Sequence, residues 1–131
     1  GSHMSREEIR KVVEEYIRLL YTDPDQFKKA ARDKLLSPDV RIEIGNYTFD
    51  SRNLDRFLDA MQEWASRYDR VEIRKVQVDG NHVRVEIELE SNGKKWTFEI
   101  EVEVRNGKIK RIRQQVDPEY KKVVQNLWNN T

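Results

Sequence analysis

Few side chains here have the type and spacing that do chemistry. The histidines are His3 and His82, and neither has a second histidine at ligand spacing, so no metal site is expected. There is no cysteine, which excludes disulfide scaffolds, thiolate zinc sites and cysteine nucleophiles. A Ser-His-Asp hydrolase would need His82 on an inner face, and the alternation around it places it outside, beside a turn. The basic run 108–113 could hold phosphate. However, Glu99, Glu101 and Glu103 on the preceding strand answer its cations, and no exposed aromatics interleave. After Gly1, the glycines are Gly45, Gly80, Gly93 and Gly107, all at turns, so none remains for a phosphate-cradling loop or dinucleotide fingerprint. No cofactor, nucleic acid or membrane partner is expected.

Candidate chemistry therefore falls on polar groups that the pattern turns inward, and the elements decide which those are. The chain has 131 residues, 37% charged and 37% hydrophobic, with net charge +1, enough for one domain with a real core. Residues 1–4 read as a tag remnant, and 5–131 as the single domain. No apolar run approaches a membrane span. Ser5 and Glu8, then Asp23 and Gln26, form capping-box patterns, and Pro24 and Pro118 sit at first helical positions. Helical spacing of apolar residues predicts helices from Ser5 to near Tyr21 and from Pro24 to about Leu35. Two more are predicted, one starting near Asp50 or Ser51 and one from Pro118 to about Asn129. Tyr16 lies mid-stripe on the first; Phe57, Met61 and Trp64 lie on the stripe of the third. Tyr120, Val123, Val124, Leu127 and Trp128 form that of the last.

Between Arg70 and Val116 the period becomes two, in four runs joined by the pairs Asp79-Gly80, Asn92-Gly93 and Asn106-Gly107, each suited to a type I′ turn. Gly45-Asn46 suits type II′ in a shorter hairpin, 40–49, which Pro38 separates from the preceding helix. The central turn sets Leu89 opposite Trp96, Ile87 opposite Phe98, Val85 opposite Ile100 and Val83 opposite Val102. The outer runs slip phase once each, at Arg74-Lys75 and Lys110-Arg111, as one surplus residue in a β-bulge would make them. The outward face is charged. Expected neighbours there are Glu103 with Lys110, Glu101 with Arg111, Glu99 with Arg113, and a Glu72, Glu86, Glu99 cluster. The inward face carries no Asp or Glu. Gln114 interrupts it, in the row of Val71, Ile87 and Phe98, as a packing polar residue or as an amide facing a ligand.

The order helix, helix, hairpin, helix, bent meander, with Leu36-Ser37-Pro38-Asp39-Val40 leading into the first strand, resembles the nuclear transport factor 2-like, or cystatin-like cone, fold. The fold class expected is α+β: helices packed on a strongly curved, bulged antiparallel sheet. Every internal glycine at a hairpin turn and two prolines at helix starts also resemble a de novo designed member of that fold. The resemblance implies a ligand site between the concave sheet face and the helices. Tyr16 then sits where ketosteroid isomerase has the tyrosine that donates to substrate, and Asp39 near its base. Otherwise Tyr16 is a core tyrosine and Asp39 a turn residue. The expected function is a scaffold without catalytic activity. The alternative is a small-molecule-binding module whose pocket is lined by Tyr16, Phe57, Met61, Trp64, Phe98 and Gln114. A monomer is expected, since the outer face is charged. A homodimer would point to Tyr120, Leu127 or Trp128.

Overall fold

The Ser5 hydroxyl accepts from the Glu8 amide at 3.1 Å, and the Glu8 carboxylate accepts from the Ser5 amide at 3.1 Å. This reciprocal cap starts α1 (Arg6–Thr22), which buries Ile9, Val13, Tyr16, Ile17, Leu19 and Leu20 along one face. Asp23 caps α2 (Pro24–Ala30) by accepting from the Gln26 amide. The computed structural model describes residues 4–115, together with Lys122 and Gln125, both exposed. The helix expected from Pro118, its stripe and Val116 lie outside the described residues, Lys122 and Gln125 apart.

The second helix does not run regularly to Leu35. After Ala30 it widens into a π turn (Ala31–Leu35) that ends when the Leu36 amide donates to the Ala31 carbonyl. Pro38 does not delay the strand either. The first strand, β1 (Leu36–Ile44), runs through it, and its pairing shifts register between Leu36 and Arg41. At such an irregularity the missing N–H of proline costs no ladder bond. The third helix begins later than the spacing predicts, as α3 (Leu54–Ala65) after Asn53.

The strands are β2 (Tyr47–Phe49), β3 (Arg70–Asp79), β4 (His82–Ser91), β5 (Lys94–Arg105) and β6 (Lys108–Gln114). With β1 they form one six-stranded sheet in the order β2-β1-β6-β5-β4-β3. All neighbours are antiparallel except β1 and β6, a parallel pair that the sequence reading does not anticipate. All four expected pairs across the Asn92-Gly93 turn are present. Asn92 and Asn106 take φ 52°, followed by Gly93 at 77° and Gly107 at 81°, as type I′ turns require. The β3–β4 turn differs: Asp79 pairs with His82, so Gly80-Asn81 is the central pair. Gly80 has φ 61° and Asn81 is not among the positive-φ residues, which is the II′ arrangement.

Both phase slips are bulges. In β3 the register jumps between Ile73 and Lys75, leaving Arg74 surplus; in β6 Val104 faces Ile109 and Glu103 faces Arg111, leaving Lys110 surplus. The extra residue changes the outward neighbours from those expected. Glu103 opposes Arg111 and Glu101 opposes Arg113. Likewise Glu72 opposes Glu88, while Glu86 opposes Glu99, so no three-glutamate row forms. Arg74 lies 3.0 Å from Glu88, and Arg84 3.0 Å from Glu99, which relieves both like-charge pairs. Inside, the concave face and the helices share one apolar core. Met4 packs against it, its Sδ 3.0 Å from the Gly107 amide.

Candidate functional site

The concave face is assembled from alternate residues of β1 and β3–β6, roofed by α1 and α3. Its central positions are closed to solvent: Val85, Ile87, Leu89, Val104 and Ile109 are fully buried. Phe57, Leu58, Met61 and Trp64 close it from α3, each at 0–1% exposure. Trp64 is the hub of an aromatic cluster. Its ring centroid lies 5.6 Å from Tyr21, 5.4 Å from Tyr68 and 5.8 Å from Phe98, and Tyr68 in turn packs 5.9 Å from Trp96. The indole Nε1–H donates to the Tyr68 hydroxyl at 3.1 Å. That satisfies the polar handle of a buried tryptophan. The sequence signal for this cluster is modest: Trp64 and Tyr68 stand four apart, one in the last turn of α3 and one just past its end.

The residues read as a pocket lining therefore divide. Trp64 and Phe98 meet in the cluster just described. Phe57 packs instead on Phe49, centroids 5.4 Å apart, and Tyr16 packs edge-on against Phe27 at 5.4 Å. Gln114 stands in the row of Ile100, Val85 and Val76, not with Val71, Ile87 and Phe98, because the bulge at Lys110 moves it along the sheet.

Two polar atoms in this interior lack a hydrogen-bond partner among the described residues: the Tyr16 hydroxyl and Gln114 Nε2. Tyr16 is 2% exposed and Gln114 7%, the latter being the sole buried polar or charged residue among those described. Burial pushes the Tyr16 phenol up, so it stays protonated at neutral pH and does not act as a base. Asp39 does not join it. It sits within β1 with its side chain 67% exposed, accepts from the Ser37 hydroxyl and lies 3.5 Å from Lys110 Nζ. The Ser37 bond, and then Lys110, hold its carboxyl below its usual value. No Asp or Glu among the described residues is buried, and no group of three His, Asp or Glu among them could hold a metal ion.

The hollows lined by described residues include three of note. One of about 340 Å3, at the end of β6, is bordered by Glu43, Glu99, Glu101, Arg113 and Gln114. A second, of about 450 Å3, lies around Asp79 and His82 at the β3–β4 turn. The third, about 600 Å3, runs between α1 and β3. None of them touches Tyr16, Phe57, Met61, Trp64 or Phe98.

A de novo designed protein with a curved β-sheet, known from its crystal structure, is 63% identical to this chain. The match covers 98% of this chain and all of the other, with a TM-score of 0.79. This chain belongs to that family of designed curved-sheet proteins. A second designed protein, Rd1NTF2_04 with long sheet, is 28% identical over 81% of this chain and 98% of its own, with a TM-score of 0.60. A nuclear transport factor 2-like protein of unknown function from Cytophaga hutchinsonii ATCC 33406 superimposes with a TM-score of 0.65. It is 18% identical and covers 90% of this chain and 95% of its own, a likeness of fold alone. No protein-family model and no curated protein matches. The fold is the nuclear transport factor 2-like cone, and its regular turns, caps and bulges are those of a designed scaffold.

Proposed function

We propose that the chain acts as a structural scaffold and catalyses no reaction of its own. One observation carries this reading: the interior between sheet and helices has a proton donor held protonated, Tyr16 on α1, and no buried carboxylate or histidine among the described residues to act as base. General acid–base chemistry needs both partners within reach of one substrate. The proposed state is a monomer without cofactor, because the convex face presents charge to any partner. Assays of Δ5-ketosteroid isomerisation, epoxide hydrolysis and ester cleavage should give no turnover above buffer. Turnover that disappears in Tyr16→Phe or Asp39→Asn would overturn the proposal.

A second reading rests on the two unpartnered donors. Tyr16 and Gln114, with Phe57, Met61, Trp64 and Phe98, would then receive a small apolar ligand carrying a carbonyl or ether oxygen. Thermal-shift titration with steroids and apolar fluorophores separates the two: a flat response supports the scaffold alone, and a saturable rise lost in Tyr16→Phe supports the ligand site.

A further inference from the structure

The row of apolar residues on the concave face does not end under a helix at every edge. On β4, Leu89 and Ile87 are fully buried, while their partners Val71 and Ile73 on edge strand β3 are only half-buried. Beside them runs the hollow of about 600 Å3 whose floor continues onto Ile17 and Tyr21 of α1. This size is that of small-molecule sites, roughly 300–1,000 Å3.

The charges on its rim are unequal in their commitments. Glu14 is held by Arg10 at 2.8 Å, Glu15 by Lys34 at 2.7 Å, and Glu72 lies 3.6 Å from Arg74. Arg18 and Lys11, both exposed on the same rim, take part in no ion pair among the described residues, and Arg18 is the one that stands beside Ile17 and Tyr21 in the chain. The acids are thus largely neutralised by cations from outside the groove, and a guanidinium is left without an anion. A strand added to the edge of β3 is disfavoured, because Arg74 and Lys75 form a charged bulge in the middle of that edge.

We propose that this groove binds anionic amphiphiles, specifically an alkyl carboxylate. Its chain would lie on Ile17, Tyr21, Val71 and Ile73 and its headgroup would be held by Arg18. Arginine suits the role because its planar fork meets both carboxylate oxygens at once. The site is separate from Tyr16 and Gln114, neither of which borders it.

The test is calorimetric titration of the full chain with decanoate and with decyltrimethylammonium, both below micelle formation, alongside amide chemical shifts. Saturable binding of decanoate is expected, with shifts confined to residues 17–22 and 70–73 and no saturable binding of the cationic amphiphile. Arg18→Glu should weaken decanoate binding about tenfold, Arg18→Lys less, and Tyr16→Phe not at all. Any of four results would overturn the proposal: no saturable binding, equal binding of both amphiphiles, full affinity in Arg18→Glu, or loss of binding in Tyr16→Phe. Shifts of the same amides on dilution without ligand would do so too, by showing that a second copy occupies the groove.

Discussion

The two faces of the sheet are built from the same strands and behave as opposite materials. Along β4, Val83, Val85, Ile87 and Leu89 are buried while Arg84, Glu86, Glu88 and Glu90 alternate with them toward solvent. The concave side is held by burial, worth about 1.5–3 kcal/mol for each large apolar side chain. The convex side is held by ion pairs that add about 0–1 kcal/mol each. The difference teaches where stability resides: the oily side supplies it, and the charged side contributes little to folding. The bulges join the two behaviours. One surplus residue lets a strand bend while keeping its oily residues on the inner side.

Removing a bulge should therefore have the largest effect, because the strand must then give up either its bend or its separation of faces. Deleting Lys110 would leave β6 either straight, with Ile112 still opposite Val102, or, where the bend is kept, with Arg113 in the place of Ile112. The expected outcome is loss of cooperative unfolding and of near-ultraviolet circular dichroism; a cooperative transition close to that of the parent would refute the role given to the bulge. Phe57→Ala, on the buried side, is expected to cost about 3–5 kcal/mol in urea denaturation.

On the solvent side the largest expected effect is at Glu43, which is half-buried. Arg111 donates to it at 2.7 Å, and Arg113 and Arg41 lie at 3.5 and 3.2 Å. The Arg111 bond, then the surrounding guanidinium charges, hold its carboxyl below its usual value. A carboxyl depressed in the folded state contributes stability fully above its unfolded value of about 4.3, and this is lost as pH falls through the lower folded value. Glu43→Gln should thus cost about 1 kcal/mol at pH 7, with the gap closing in acid; a constant gap across pH 2–7 would show that the charge is not its cause. Arg84→Ala should change stability least, by about 0.5 kcal/mol or less, in the same denaturation assay.

Much of the fold was legible because local rules set it. Asn92-Gly93 alone determines the pairing of Leu89 with Trp96 through Val83 with Val102, and a broken alternation betrays each bulge. What the sequence could not show lies beyond the bulges and across long separations. Neither the partners of Arg111 and Arg113 nor the parallel union of β1 with β6 follows from any turn. Of the site, Tyr16 and Gln114 stood out as polar residues on inner faces. Their lack of partners, and the gathering of Tyr21, Tyr68 and Phe98 around Trp64, depend on how α1 and α3 settle on the sheet.

The scaffold reading holds that the concave wall is packed and dry, so that the two orphaned donors are a cost without a ligand to relieve it. A double variant, Tyr16→Phe with Gln114→Leu, addresses this directly by equilibrium urea unfolding. The expected result is a gain of about 1–2 kcal/mol at pH 7, widening above pH ~10, where the parent alone loses the stability of a buried protonated phenol. A loss of similar size would mean that both groups are hydrogen-bonded in solution, and the dry scaffold would give way to a wet, ligand-ready interior.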